Sequence, residues 1–219
     1  MTGYTIPRLR KNTMSILKNY FPQLSDKQLE LFEKHKELLL DWNTKINLIS
    51  RKDTENFEVS HQLHSLSICK VLEFLPNTSI LDVGTGGGFP GIPLAIFYPN
   101  CQFTLVDGIG KKIMVVNDLI EKLELKNVKA LSVRAESLKE KFDFVTNRAV
   151  APVDDILRWT QKLIHQKHKH KLPNGILCLK GGDLKEELKA HKKYSVVYPI
   201  KDFFKEEFFE TKAVVYIQS

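Results

Sequence analysis

The densest chemistry in the chain lies in Asp82-Val83-Gly84-Thr85-Gly86-Gly87-Gly88-Phe89-Pro90-Gly91. Glycines at 84, 86 and 88 let a backbone bend sharply and approach a ligand closely, because no Cβ intervenes. The stretch reads in two ways. Gly86 to Gly91 satisfies G-x-G-x-x-G, the dinucleotide fingerprint, whose pyrophosphate needs backbone N–H groups and a helix N-terminus. Gly84 to Gly88, preceded by Asp82, also suits S-adenosylmethionine, which carries a sulfonium and an ammonium and no phosphate. An acid at the strand tip favours the cationic ligand, and Pro90 and Pro93 remove two N–H donors where a phosphate would need them. S-adenosylmethionine is therefore the favoured cofactor. Asp107, farther along, is an acceptor for both ribose hydroxyls of an adenosine under either reading. The turn Arg134-Ala135-Glu136 can bring a backbone N–H to the base edge. Arg148 places a permanent cation beside the presumed site, for stacking on a base, forking onto phosphate or a structural salt bridge. Lys180 meets phosphate or lines the cleft.

The elements that must position these groups alternate. The apolar run Ile80 to Val83 reads as a buried strand, the segment from Ile92 to Phe97 as a helix, and Gln102 to Asp107 as a second strand. Lys111 to Leu123 has helical apolar spacing, and Val128 to Val133 and Phe142 to Thr146 read as strands. A helix from Asp154 to Ile164, a strand from Ile176 to Leu179, a charged helix over 183–193 and strands at Tyr194 to Ile200 and Ala213 to Ile217 complete the pattern. Strand, glycine turn and helix in this order predict a doubly wound α/β sheet with its ligand at the carboxyl ends of the strands. Ahead of it, Ser25-Asp26-Lys27-Gln28 resembles a capping box opening a helix with Leu29, Phe32, Leu38, Leu39 and Trp42 on one face. A second helical segment spans Thr54 to Phe74. Its His61 and His64, three apart, are neighbours on one face; with no third ligand near, they read as surface or RNA-facing groups rather than a metal site. The expected organisation is a single domain, with a helical extension over residues 1–76 and a Rossmann-like core over 77–219.

Composition bounds the partners. Lys and Arg number 33 against 26 Asp and Glu, a net charge of +7 that favours a polyanion. The basic residues Arg8, Arg10, Lys11, Arg51, Lys52, Lys111 and Lys112 are candidates for phosphate contacts, and the His165–Lys171 run reads as a solvated basic loop able to touch nucleic acid. Cys69, Cys101 and Cys178 show no paired spacing, which fits free thiols in a reducing cytoplasm. No apolar run is long enough to span a bilayer, and no signal peptide or membrane partner is expected.

The strand after Phe142 ends in Asn147-Arg148-Ala149-Val150, not in the N/D-P-P-aromatic run usual in enzymes that methylate exocyclic adenine amines. The chain as a whole resembles the RsmG family, also called glucose-inhibited division protein B. The resemblance rests on Trp42-Asn43-Thr44-Lys45-Ile46-Asn47-Leu48, on Asp82 to Leu94, on Val106-Asp107 with Lys111-Lys112, on Arg148-Ala149 and on Leu179-Lys180-Gly181. It implies a class I S-adenosylmethionine-dependent methyltransferase with a seven-stranded, mostly parallel sheet. It also implies methylation of guanosine nitrogen 7 in small-subunit ribosomal RNA, free or in the ribosomal particle. Cofactor contacts are implied at Gly84, Phe89, Ala135, Glu136 and Arg148. Catalytic positioning falls to Arg148 and Lys180, without a metal, in a monomer. The chain departs from the family at His64-Ser65-Leu66, where Asp-Ser-Leu is usual. The alternatives are a nicotinamide-dependent oxidoreductase, or a non-catalytic RNA-binding or assembly protein on the same fold.

Overall fold

A computed structural model describes residues 15–219, and of Arg51 and Lys52 the backbone alone. Arg8, Arg10 and Lys11 lie outside the described residues. Helices α1 (Ile16–Tyr20), α2 (Asp26–Asn43) and α3 (Arg51–Glu55) come first. The segment predicted as one helix from 54 to 74 is broken. It consists of a π-helical stretch over Glu58–Leu63 and two short turns, α4 (His64–Leu66) and α5 (Ile68–Val71). A single seven-stranded sheet follows, of β1 (Ser79–Val83), β2 (Gln102–Val106), β3 (Val128–Leu131), β4 (Phe144–Arg148), β5 (Gly175–Gly181), β6 (Ser195–Pro199) and β7 (Lys212–Gln218). Its order is β3-β2-β1-β4-β5-β7-β6; the first five strands run parallel, and β7 is antiparallel to both β5 and β6. Helices α6 (Gly91–Phe97), α7 (Gly110–Lys122) and α8 (Val153–Thr160) connect the parallel strands.

Two apolar cores lie on the two faces of the sheet. On one, Ile80, Phe103, Phe144 and Leu177 pack with Phe32, Leu39 and Leu94; on the other, Leu81, Val83, Val145 and Ile176 pack with Val153 and Ile156. Successive strand residues face opposite ways. Asp82 therefore shares the face of Ile80, and Thr146 and Arg148 share the face of Phe144, all toward the N-terminal helices. The capping box read in the sequence is present: Ser25 Oγ accepts from the Gln28 N–H, and Gln28 Oε1 accepts from the Ser25 N–H. Gln28 Nε2 also donates to the Ile96 and Phe97 carbonyls, so the same residue closes the end of α6.

The charged helix expected over 183–193 does not form; the one helical element there is a 3-10 turn, Lys189–His191. Leu188 turns into the second core and Glu187 toward Lys180, so tertiary contacts override helix propensity. The basic run at 165–171 lies at the amino ends of the strands, where His170 Nε2 meets Thr78 Oγ1 at 2.9 Å, opposite the ligand edge. Gly175 opens β5 against β7, and a Cβ there would collide with the Ile217 carbonyl oxygen. Gly175→Ala is expected to cost roughly 2–4 kcal/mol by forcing two central strands apart, read as a lower urea midpoint. No helix among the described residues is long and apolar enough to cross a membrane.

Candidate active site

Parallel strand order reverses between β1 and β4, and a cavity of about 560 Å³ opens there beyond the strand ends. The glycine loop forms its floor. Gly84 has φ +64, and a Cβ on it would come 2.6 Å from Val150 Cγ2, so glycine is required both for the bend and for the packing. The Thr85 N–H donates to the Val106 carbonyl (3.0 Å), tying the loop to β2. Asp107 stands at the wall with both carboxylate oxygens oriented, one accepting from the Gly86 N–H (3.0 Å) and the other from the Ile109 N–H (2.9 Å). Ala135, Glu136 and Trp159 close the far side.

Asp82 is elsewhere. It is fully buried beneath the loop and does not line the cavity. Oδ2 accepts from Thr85 Oγ1 (2.6 Å) and the Gly91 N–H (3.0 Å), and Oδ1 from Thr146 Oγ1 (3.2 Å). Burial pushes its pKa up to about 7, against the pull of these three donors and of Arg148. The contact expected of Asp82 with a cationic ligand is thus replaced by a contact with the loop that makes the site. Gly88, with φ +95, also stands back from the cavity and packs on Ile92. The first amide of α6, that of Gly91, points to Asp82, so this helix start is not turned toward a pyrophosphate.

A second cavity, of about 410 Å³, adjoins the first. Leu48, Arg148 and Ala149 line both and form the partition between them. Arg148 comes from the end of β4. Its guanidinium lies 4.6 Å from the centre of the Phe89 ring, and Nη1 contacts the Ser60 carbonyl (3.3 Å) and His61 Nδ1 (2.9 Å). Arginine has no acceptor, so His61 Nδ1 accepts and the imidazole proton sits on Nε2. Burial lowers Arg148 to about 10, with Asp82 and Asp53 working against the shift; the guanidinium stays charged at neutral pH. His61 stacks on Phe89 at 4.8 Å, and burial, then Arg148 and His35, bring it down to about 3. His64 is likewise buried and held neutral, by desolvation first and by Arg148 and Lys212 next. The reading of these histidines as surface groups is corrected: they belong to the wall and backing of the second cavity. No cluster suited to a metal ion occurs among the described residues.

Leu48 reaches the partition through Asn43. The Asn43 side chain accepts from the Leu48 (2.8 Å) and Ile49 (3.0 Å) amides and donates to the Ile49 carbonyl, while Trp42 Nε1 donates to Asp118 on α7. The W-N-x-x-x-N-L stretch therefore works by bending the chain after α2 into the site. Lys180 lines the second cavity, but its amine is engaged: it donates to the Ala151 carbonyl (2.6 Å) and pairs with Glu187 (2.7 Å). Of the residues picked from the sequence, Gly84, Gly86, Phe89, Asp107, Ala135, Glu136 and Arg148 meet around the first cavity, and Lys180 lies across the partition.

The sequence profile described as rRNA small subunit methyltransferase G matches residues 28–213. The chain belongs to this family. Curated relatives of that name include one from Flavobacterium johnsoniae, 53% identical over 93% of this chain and 97% of its own length. Another, from Bacteroides thetaiotaomicron, is 49% identical over 94% of this chain and 100% of its own. Among solved structures, a mutant of MtNAS in complex with S-adenosylmethionine aligns with TM-score 0.55 at 15% identity, covering 93% of this chain and 76% of that one. A SAM-dependent methyltransferase from Aquifex aeolicus aligns with TM-score 0.51 at 15% identity, over 70% and 88%. These last two establish the fold, the class I methyltransferase sheet expected from the sequence. Membership of the family makes the chain an S-adenosylmethionine-dependent enzyme and removes the nicotinamide and non-catalytic alternatives.

Proposed function

We propose that this chain transfers the methyl group of S-adenosylmethionine to nitrogen 7 of a guanosine in small-subunit ribosomal RNA, acting as a monomer in the cytoplasm. The observation that carries the reading is the pair of cavities sharing one thin partition at the carboxyl edge of β1 and β4. The first has the volume of a small-molecule site and an oriented acid at its wall, which fits an adenosine. Asp107 would take the ribose, and the Gly84–Gly86 backbone, Ala135 and Glu136 would hold the rest. When bound, the cofactor supplies an electrophilic methyl group on a sulfonium.

The second cavity suits an unstacked base still tethered to its RNA. Arg148 and Lys212 give it positive charge for the flanking phosphates, against the single carboxylate of Asp53, and His61, His64 and Phe208 give it flat apolar surface. Its residues come both from the segment read as the helical extension, 1–76, and from the core, 77–219. Guanine nitrogen 7 has an in-plane lone pair and carries no proton, so no general base is needed. The residues must align two reactants and exclude water, which is catalysis by proximity. Arg148 is suited to this because Phe89 and His61 fix its plane.

Labelled S-adenosylmethionine offered with small-subunit RNA, naked and assembled into particles, tests the reading. Label recovered as 7-methylguanosine from either substrate is the expected result. Cofactor binding without label in RNA, or label on another atom, overturns it.

A further inference from the structure

Glu187 lines neither cavity, yet three hydrogen bonds centred on it and Lys180 join three parts of the site. Its Oε1 accepts from Lys180 Nζ (2.7 Å) and from the Val153 N–H (2.8 Å), the first amide of α8, and Lys180 Nζ also donates to the Ala151 carbonyl (2.6 Å). The tip of β5 is thereby fastened to the loop between β4 and α8. The Lys180 side chain is only 10% exposed, which separates this pair from the solvent-screened surface pairs that contribute little.

The fastened loop is the partition. Arg148 and Ala149 line both cavities, and Val150 presses its methyls onto the Gly84 backbone. Ala149 has φ +51, a left-handed conformation that a residue with a Cβ keeps only when its surroundings impose it. The antiparallel and parallel ladders hold β4 and β5 themselves, but they end at Arg148 and Gly181. Beyond them the Lys180–Glu187 pair supplies bonds to both ends of the 151–153 stretch.

We propose that Glu187 is a positioning residue for methyl transfer, holding the Arg148–Val150 segment in register between the two cavities through Lys180 and the Val153 amide. The proposal rests on the methyl-transfer reading given above. Glu187→Gln keeps an acceptor oxygen for the Val153 N–H and Lys180, whereas Glu187→Ala removes it.

Two measurements test this. In the free enzyme, hydrogen exchange at the Val153 amide should speed up by about tenfold or more in Glu187→Ala and stay within about threefold of wild type in Glu187→Gln. On small-subunit substrate at saturating cofactor, kcat should fall roughly 10- to 100-fold in the alanine variant, with KM for RNA little changed, and recover most of its value in the glutamine variant. Wild-type kcat in Glu187→Ala, an equal loss in both variants, or a loss matched by a collapse of the thermal melt overturns the proposal. Should wild type itself transfer no methyl group, the methyl-transfer reading fails and the exchange result alone decides the clamp: unchanged Val153 exchange in Glu187→Ala refutes it.

Discussion

Arg148→Ala is expected to lower methyl transfer by about 100-fold or more while leaving the protein folded. The guanidinium is the one charged group on the partition, and its plane is set by the Phe89 face and the acceptors on Ser60 and His61. Removing it opens the partition and frees the reactants to misalign, and misplacement of this kind is costly in rate. Folding should survive, because the arginine is half-buried and makes no direct ion pair, and its removal leaves only the Ser60 carbonyl and His61 Nδ1 short of a donor, beside a cavity roomy enough for water to replace it. Arg148→Lys should not restore the rate, since an ammonium cannot lie flat on a ring and reach two acceptors at once. The check is single-turnover transfer beside a thermal melt. Turnover near wild type in the alanine variant would remove Arg148 from the mechanism.

Asp82→Ala should be the most damaging change to the loop. It leaves the hydroxyls of Thr85 and Thr146 and the Gly91 amide without an acceptor in a dry interior, at a cost of about 3–5 kcal/mol. Cofactor affinity should fall with it, by about tenfold or more, because the glycine loop loses its anchor. Asp82→Asn separates two roles. An amide oxygen can still serve Thr85 and Gly91, and the amide N–H can donate to the Thr146 hydroxyl. If Asp82 works through the loop, Asn keeps most of the calorimetric affinity. An Asn variant as weak as Ala would mean that the carboxylate charge itself meets the ligand. The pH dependence has a definite sign. The folded pKa is raised to about 7 from an ordinary 3.8, so the unfolded chain releases this proton first. The contribution to stability is largest below the unfolded pKa, declines as pH rises toward 7 and is flat above it. Asn should remove that decline from a series of urea melts.

Much of this was legible in the residues. The alternation of strand and helix, the glycine bend and the acid after the second strand each follow from local chemistry, and Gly84, Asp107 and Arg148 meet as the topology requires. What the residues did not reveal is depth. Period-two alternation places Asp82 on a face, but only the packing of Thr85, Gly91 and Thr146 shows that it lies under the loop instead of in the cavity. Leu48 and Trp159 carry no chemical signature, and their place depends on a side-chain clamp by Asn43 and on where α8 crosses the sheet. His61 looks polar in the sequence and is buried because Phe89, from a loop well removed along the chain, stacks on it. Lys180 kept its location but not its freedom, since the glutamate that engages it sits in a segment whose residues read as a charged helix.

The partition of Leu48, Arg148 and Ala149 also bears on inhibitor chemistry. A compound that fills one chamber competes with one reactant and can be outcompeted by it. A nucleoside joined to a second purine by a slender unbranched tether would have to displace these side chains to occupy both chambers at once. Its selectivity would come from the crossing point, because the two chambers are joined by residues supplied from two distant stretches of the chain, and an enzyme with a bulkier side chain at either would refuse the tether.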